Sequence, residues 1–339
     1  MTVYSPAVGG IGILGTGSYL PEQVMSNEVV GARAGVSAEW IERKTGIVER
    51  RYAAGHEAAS DLAVEAAVRA LDDSGTDAAD IAWIVVATST PDHPQPATAA
   101  FVQHRLGAHG AAAFDVNAVC SGFIAALHTG ARLLAAPGSD GGRRRALVIG
   151  SEVYSRIIDP ADRRTAPLFG DGAGAVVLGS VTEGRGLVGT AMRTDGHLHA
   201  LIGVTAGGSR KPASAKTVDR GDHFFRMQGR EVRDFVVREL PDVVAGTLAA
   251  FGVPADEVDH FVPHQANGEM LRGVVGALGL TSARTHLPVD RHGNTGAASI
   301  PLALDHACRQ GAVADDETVL LAGFGGGMTT GAVLLRWGR

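Results

Sequence analysis

The sequence predicts an α/β protein built from two similar halves, each with a sheet covered by helices. Apolar segments at helical spacing alternate with short β-branched runs along the 339 residues, as in proteins whose sheets carry helices on their faces. Segment 75–85 (GTDAADIAWIV) is echoed at 252–262 (GVPADEVDHFV), and 174–178 (GAVVL) is echoed at 331–335 (GAVLL). Chance matching is the alternative in a chain so rich in Ala, Gly and Val. Two echoes in the same order favour an internal duplication.

The two halves are predicted to span residues 1–180 and 181–339. Within them, apolar periodicity and β-branched runs define the elements. Predicted helices cover 59–71, 97–106, 236–252 and 302–309, and predicted strands cover 11–14, 81–88, 112–117, 175–178 and 319–322. Glycines at 75 and 252 are expected to end two of these helices. Segment 207–220 is predicted to be a mobile surface loop.

Composition excludes several classes of protein. Hydrophobic residues make up 45% of the chain and charged residues 19%, which is enough for a large core. The net charge of -6 argues against a nucleic-acid binder of the basic-patch type. No apolar run approaches the roughly 18 residues of a membrane helix, and no secretory signal is recognisable at the N-terminus. Two cysteines cannot build a disulfide framework or a four-thiolate zinc site. We therefore expect a cytoplasmic protein with reduced thiols.

Motifs for nucleotides and metals are weak. Residues 10–15 match a dinucleotide fingerprint formally, but they resemble a strand and too little chain precedes them. Residues 170–174 (GDGAG) run into a strand rather than a helix, so we interpret them as a tight turn. His197 and His199 lack a third ligand at suitable spacing. We predict no metal and no redox cofactor.

Cys120 lies in the string DVNAVCSGF at 115–123, between a strand and a helix. The N-terminus of a helix lowers the pKa of a nearby thiol, so this position favours a reactive thiolate. A buried, inert cysteine is the alternative. Cys308 lies within a helical stretch and is expected to be inert packing.

His264, Asn294 and the glycines at 325–327 each follow a probable strand in the second half. The carboxyl ends of strands in α/β sheets are where ligands bind. Together with Cys120 in the first half, these residue types suggest a nucleophile, a base or hydrogen-bond donor, and an oxyanion hole of backbone N–H groups.

The strings DVNAVCSGF, VPHQAN, RHGNTGAAS and GFGGGM, in this order and spacing, resemble β-ketoacyl-acyl-carrier-protein synthase III of the thiolase superfamily. The resemblance extends from GTGSYLPE at 15–22, through EWIERKTGI at 39–47, to the C-terminus. It implies a thiolase-like, five-layered αβαβα fold from two duplicated halves, and a homodimer. It also allows a role in fatty-acid synthesis or in a starter step of polyketide or other secondary metabolism.

The resemblance implies a residue-level chemistry as well. Cys120 would take an acyl group from acyl-CoA, and His264 with Asn294 would hold the carbonyl of a malonyl thioester, expected on an acyl carrier protein, while CO2 leaves. The resulting enolate would attack the acyl-Cys120. The backbone N–H groups of Cys120 and Gly326 would form the oxyanion hole. An acyltransferase that passes the acyl group to a hydroxyl, an amine or another acceptor without decarboxylation is the alternative.

Three residues match family positions that bind coenzyme A. Trp40 and Arg163 correspond to residues that grip the adenine and phosphates, whereas Lys44 replaces the usual Arg. Gln95 and Met328 stand where straight-chain-specific relatives often carry aromatic residues. We therefore predict that these two residues shape an altered acyl pocket.

The family's basic patch for carrier-protein docking is missing from the helix after HQAN. Glu269, Gly276 and Ala277 occupy its cationic positions, and only Arg272 supplies positive charge. Poor docking of a generic carrier protein is therefore expected. A papain-type Cys–His–Asn hydrolase is disfavoured by the position of Cys120 deep in the chain. A non-catalytic partner subunit is disfavoured because all three catalytic residue types are retained.

Overall fold

The computed structural model describes residues 2–6, 10–135 and 145–339. Its strands are β1 (Val3–Pro6), β2 (Ile11–Tyr19), β3 (Gln23–Ser26), β4 (Glu49–Tyr52), β5 (Ile81–Ala87), β6 (Ala112–Val116), β7 (Arg145–Val153), β8 (Asp171–Ser180), β9 (Gly186–Thr194), β10 (Ile202–Val204), β11 (Phe225–Met227), β12 (His260–Pro263), β13 (Arg284–Thr285), β14 (Thr318–Gly325) and β15 (Thr329–Arg336). Its α-helices are α1 (Asn27–Ala34), α2 (Ala38–Thr45), α3 (Ala59–Ser74), α4 (Thr98–Arg105), α5 (Gly122–Ala135), α6 (Ala215–Asp219), α7 (Gly229–Phe251), α8 (Gly268–Val275), α9 (Val289–His292) and α10 (Ser299–Arg309).

The two large sheets share one topology. The first has the strand order β2-β8-β7-β5-β6, and the second has the order β1-β9-β15-β14-β12-β13. In the first sheet β5 is parallel to β6 and β7, and β7 is antiparallel to β8. In the second sheet β12 is parallel to β13 and β14, and β14 is antiparallel to β15. The predicted duplication is confirmed. The extra strand β1 pairs with β9, so the N-terminal residues join the second sheet.

Five layers follow from how the helices cover these sheets. Helices α5 and α10 pack between the sheets, in one apolar cluster with β5, β7 and β8 of the first sheet and β12, β14 and β15 of the second. Helices α3 and α4 cover the outer face of the first sheet, and α7 and α8 cover the outer face of the second. The arrangement is the predicted αβαβα fold.

The two sequence echoes occupy equivalent places. Gly75 and Gly252 end α3 and α7 in left-handed conformations, with φ of 60° and 69°, which glycine adopts without a Cβ clash. Gly174 of β8 pairs with Gly150 of β7, as Gly331 of β15 pairs with Gly323 of β14. Segment 11–14 lies in β2, in agreement with its interpretation as a strand rather than a nucleotide loop.

Three local predictions need correction. Helix α7 begins at Gly229 rather than at 236 and continues through Pro241. Residues 170–174 are not a tight turn, because β8 begins at Asp171. A Cβ on Gly174 would lie 2.6 Å from the backbone N of Leu302 in α10, so close packing of helix on sheet requires glycine there. Segment 207–220 contains the short helix α6.

Among the described residues, no helix combines the length and apolar character needed to span a membrane. The same part of the chain has no group of three or more His, Cys, Asp or Glu side chains arranged to hold a metal ion. The boundary at 180/181 stays a prediction; it falls between the end of β8 and the start of β9.

Candidate active site

Cys120 sits in a 3-10 turn, Val119–Ser121, that joins β6 to α5, and it is 7% exposed. The Ser121 hydroxyl anchors the turn by donating to the carbonyl of Thr329 in β15, at 2.9 Å. Val119 has a φ of 49°, a left-handed conformation that is strained for a β-branched residue. The fold therefore holds the cysteine on a tight, strained connection directly before a helix.

The glycines after β14 allow this turn to pack closely. A Cβ on Gly325 would lie 2.8 Å from the backbone N of Cys120, so a side chain there would displace this cysteine. A Cβ on Gly326 would lie 3.3 Å from the side chain of Val119, which places Gly326 beside the same turn. The oxyanion-hole role of Cys120 and Gly326 stays a prediction.

His264 follows β12, and its backbone N–H donates to the carbonyl of Ala322 in β14 at 2.7 Å. Its ring Nδ1 lies 2.6 Å from Ser299 Oγ, which also accepts the backbone N–H of Gln265 at 3.3 Å. We assign the serine hydroxyl as the donor to Nδ1, which puts the ring proton on Nε2. Burial lowers the pKa of His264 to about 3, so the imidazole is neutral at physiological pH.

Asn294 is fixed by both its backbone and its side chain. Its N–H donates to Leu168, at 2.8 Å, and its carbonyl accepts from Gly170, at 3.0 Å. Its Oδ1 accepts the backbone N–H of Gly296 at 2.9 Å. Because the amide oxygen is occupied in this way, the Nδ2 group is the part of the side chain left to donate to a ligand.

The three predicted catalytic residues converge on the end of β14. The ring centroids of His264 and Phe324 are 5.0 Å apart, and the next residue, Gly325, packs on the backbone of Cys120. Phe324 and Asn294 line the same cavity. The two halves thus bring one thiol, one neutral imidazole and one amide to a common point.

This cavity has a volume of about 350 Å³ and a largely apolar wall. Its lining contains all three predicted coenzyme A residues, Trp40, Lys44 and Arg163, together with Asn294, whereas Cys120 and His264 are not part of it. Its full lining is Trp40, Lys44, Thr45, Arg163, Arg164, Pro167, Leu168, Met227, Gly229, Val232, Arg233, Ala266, Asn267, Met270, Asn294 and Phe324. A larger open cleft of about 1110 Å³ borders Arg164 and Met227 and includes none of the predicted site residues.

The cavity wall is suited to a long thioester with an anionic end. Lys44, Arg163, Arg164 and Arg233 are exposed, and none of them has an ion-pair partner among the residues that the structure describes. Free cations of this kind attract phosphate groups. The apolar wall between them and Asn294 suits a flexible chain of low charge.

The prediction of a lowered thiol pKa is wrong for this structure. Burial, and after it the negative charge of Glu152, raise the pKa of Cys120 to about 12, although the interaction with Tyr154 opposes both effects. The helix N-terminus is present, but the cysteine is removed from water and faces a buried carboxyl group.

Two predicted pocket residues do not reach the cavity in this chain. Gln95 is exposed, in the connection between β5 and α4. Met328 is fully buried, and its side chain packs in the apolar cluster formed by α7 and the outer face of the second sheet. The single chain therefore does not support their assignment to an acyl pocket.

The burial of Cys308 is consistent with its predicted role as inert packing. The exposed residues on α8 and just beyond it include the uncharged and acidic positions noted in the sequence. Cys308 is partly buried in α10, where burial raises its pKa to about 12, as expected for inert packing. On α8, the carboxylate of Glu269 forms an ion pair with Arg272, and Gly276 and Ala277 are exposed just beyond the helix. The cation of α8 itself is therefore paired with an anion, whereas Arg43, Lys44 and Arg233 lie beside this helix on neighbouring elements.

Sequence reasoning missed Ser299, which orients His264, and the group formed by Ser89, Glu152 and Tyr154 beside Cys120. A signal existed for Glu152, since it is a carboxyl group at the end of an otherwise apolar strand. Ser299 closes the string RHGNTGAAS, but its contact with His264 joins residues 35 positions apart. Arg164 and Arg233 were missed because isolated surface arginines carry no motif.

Comparisons with known proteins identify the family. Residues 114–196 match the family model for 3-oxoacyl-[acyl-carrier-protein] synthase III, and residues 248–337 match the model for its C-terminal part. The chain is 53% identical to an acetoacetyl CoA synthase from a Streptomyces species, over 96% of this chain and 98% of that protein. It is 48% identical to a β-ketoacyl-[acyl-carrier-protein] synthase III from Bradyrhizobium diazoefficiens, with the same coverage.

Solved structures agree. The 3-oxoacyl-[acyl-carrier-protein] synthase III of Aquifex aeolicus superposes with a TM-score of 0.87 at 37% identity, covering 97% of this chain and 100% of that one. The priming β-ketosynthase of a polyketide pathway superposes with a TM-score of 0.88 at 33% identity, covering 97% of each chain. The chain therefore belongs to the 3-oxoacyl-[acyl-carrier-protein] synthase III family.

Proposed function

We propose that this condensing acyltransferase uses Cys120 as its nucleophile and His264 with Asn294 as its condensation donors. The observation that carries the proposal is their convergence at the end of β14, beside a cavity that Asn294 and Phe324 line together with exposed cations. In the first step, Cys120 attacks the carbonyl of acyl-CoA, the acyl–sulfur bond to coenzyme A breaks, and an acyl-Cys120 thioester remains.

The second step is decarboxylative condensation. His264 Nε2–H and Asn294 Nδ2–H donate to the thioester carbonyl of the malonyl group, where negative charge develops as CO2 leaves. The enolate carbon then attacks the acyl carbon of acyl-Cys120, and the cysteine thiolate is released with a β-ketoacyl thioester as product. Each step uses only side chains and backbone groups of this chain.

We propose malonyl-CoA as the acceptor. Two observations support this choice over a malonyl carrier protein: the paired charges on α8, and the four unpaired cations around the cavity. One relative is named an acetoacetyl CoA synthase, an enzyme whose product is a CoA thioester, although others are named for an acyl-carrier-protein substrate.

A homodimer in the cytoplasm is part of the proposal. Strand β6 forms an edge of the first sheet, and its residues from Ala113 to Val116 are only half-buried. A second copy on this edge would satisfy its backbone groups. The pocket role of Gln95 then requires that the partner copy bring it to the neighbouring site. Light scattering of the purified chain tests the dimer.

Intact-mass analysis with a panel of acyl-CoA donors tests the function. We expect a mass increase equal to one acyl group, absent in Cys120→Ala and retained in Cys308→Ala. Adding malonyl-CoA should discharge the acyl-enzyme with release of CO2 and a β-ketoacyl-CoA. Discharge only by malonyl carrier protein would overturn the choice of acceptor. Discharge by a hydroxyl or amine without CO2 would establish the alternative acyltransferase.

A further inference from the structure

Glu152 is a buried carboxyl group that the reaction outlined above does not use. It lies at the end of β7, is 0% exposed, and accepts hydrogen bonds only from neutral groups. Its oxygens accept from Ser89 N–H at 3.1 and 3.2 Å, from Ser89 Oγ at 2.9 Å, from Thr90 Oγ1 at 2.6 Å and from Ala297 N–H at 3.4 Å. A carboxylate held by hydroxyl and amide donors, without a cation, is ready to accept a proton.

Two hydrogen bonds lead from this carboxyl group through Ser89 to Tyr154, which lies beside Cys120. The Ser89 hydroxyl donates to Glu152, so the Tyr154 hydroxyl, 3.0 Å from Ser89 Oγ, donates to Ser89. The Tyr154 hydroxyl also interacts with the Cys120 thiol, because each of the two groups shifts the pKa of the other. With its own hydrogen directed to Ser89, the Tyr154 oxygen is free to accept the thiol proton. Its ring is held 4.5 Å from the ring of Phe169, which fixes the position of its hydroxyl.

The electrostatics allow one negative charge at a time on this path. Burial raises the pKa of Glu152 to about 7, and the Glu152 charge adds to burial in raising the pKa of Cys120. Burial, Cys120 and Glu152 raise the pKa of Tyr154 well above its usual value. The titratable groups that face Glu152 are thus Cys120 and Tyr154. Moving a proton from the thiol to the carboxylate keeps the buried charge constant.

We propose that Glu152 is a positioning residue that stores the Cys120 proton, through Tyr154 and Ser89, while Cys120 carries the acyl group. The inference rests on the proposed role of Cys120. As the thiol attacks acyl-CoA, its proton passes to Tyr154, the Tyr154 proton to Ser89, and the Ser89 proton to Glu152. Coenzyme A leaves as a thiolate and takes a proton from water.

The return step brings the proton back from Glu152 to Cys120. When the enolate attacks acyl-Cys120 and the carbon–sulfur bond breaks, the cysteine leaves as a thiolate. The Glu152 proton then passes back through Ser89 and Tyr154 to the sulfur. Over one turnover the relay gains and loses one proton, and the net proton consumed is the one taken by coenzyme A.

The pH dependence of Cys120 alkylation by iodoacetamide tests the relay in a Cys308→Ala background. In the parent chain, the rate should rise to about pH 7 as Glu152 ionises, and then stay level to about pH 8.5. In Glu152→Gln the rate at pH 7 should be at least about tenfold lower and should keep rising about tenfold per pH unit. A purely structural defect would scale the curve without changing its shape.

A second variant keeps the carboxyl group of Glu152 and removes only the hydroxyl group that connects Cys120 with Ser89. Tyr154→Phe preserves the ring packing and should also remove the level region above pH 7. Tyr19→Phe is the matched control, because it removes a Tyr–Glu hydrogen bond of 2.7 Å to Glu57 far from the thiol, and it should leave the curve unchanged. Glu152→Asp should restore part of the level region.

The outcomes separate this proposal from the proposed function. Retention of the level region in Tyr154→Phe or in Glu152→Gln would overturn the relay, even if acyl-CoA still loads Cys120. If no donor loads Cys120 while the alkylation curves behave as described, the relay stands and the proposed function fails. Acyl loading from acetyl-CoA, followed by intact mass, should show the same change of shape.

Discussion

The two halves share a topology but carry different chemistry at equivalent strand ends. By the offset of 177 residues between Gly75 and Gly252, His264 in the second half corresponds to Ala87 in the first. By the register of the paired glycines, Glu152 in the first half corresponds to Gly325 in the second. The duplicated fold brings equivalent strand ends from the two halves to the same site. The side chains at these strand ends then differ in their chemistry. The first half contains the proposed nucleophile and its carboxyl neighbour; the second contains the proposed condensation donors.

The largest effect is expected for a substitution in the first half, at Cys120. Cys120→Ala should abolish covalent acylation from acyl-CoA, because the variant lacks the attacking sulfur, while the thermal unfolding transition stays cooperative. Intact mass and a melting curve measure both. An acyl adduct that persists on the variant would contradict the assignment and would point to Cys308, the only other thiol of the chain.

Substitutions in the second half should affect condensation rather than acyl loading. His264→Ala and Asn294→Ala should each lower condensation by about 10²- to 10³-fold, the usual effect of removing one donor to a developing oxyanion. Acylation of Cys120 should change by less than about tenfold. Single-turnover measurements of loading and of discharge separate the steps. Equal loss in both steps would favour a His264–Cys120 base pair and would remove the division between the halves.

The pH dependence of the two steps should differ as well. Because burial lowers the pKa of His264 to about 3, the imidazole keeps its neutral form as pH falls from 8 to 5. Discharge of a preformed acyl-enzyme should therefore change by less than about threefold over this range. Loading should fall below pH 7 as Glu152 becomes protonated. Loss of discharge with a midpoint near pH 6.5 would show that His264 titrates as an exposed histidine.

Glu269→Arg should have a smaller effect, confined to carrier-protein substrates. It replaces the anion that pairs with Arg272 and restores positive charge, so the rate with a malonyl carrier protein should rise about three- to tenfold at low salt. The rate with malonyl-CoA should stay the same. Glu257→Arg, at the opposite end of β12 from His264, is the matched control. Fast, salt-sensitive use of a carrier by the parent chain would show that another surface docks it.

The smallest effect is expected for Cys308→Ala. The residue is partly buried in α10 and takes no part in the reaction, so acyl loading should be unchanged. The free energy of unfolding should fall by no more than about 1.5 kcal/mol. Denaturant titration measures this change, and a loss of loading would contradict the distinction between the two cysteines.

The sequence by itself determined the duplicated α/β fold and, through the family resemblance, the three residues proposed for catalysis. Both depend on local patterns: glycines that end equivalent helices, apolar runs that form equivalent strands, and short strings at the strand ends that surround Cys120, His264 and Asn294. Such patterns lie within a few residues of one another, so they are visible without the fold.

Only the tertiary structure decided the electrostatics and the neighbours of these residues. The thiol pKa of Cys120 depends on burial and on Glu152, 32 positions away, and the proton position on His264 depends on Ser299. In the single chain Met328 is buried in the core and Gln95 is exposed, so their acyl-pocket role stays a prediction that local sequence could not decide. Burial and contacts between distant segments are sums over the whole fold, whereas a local string contains only its own residues.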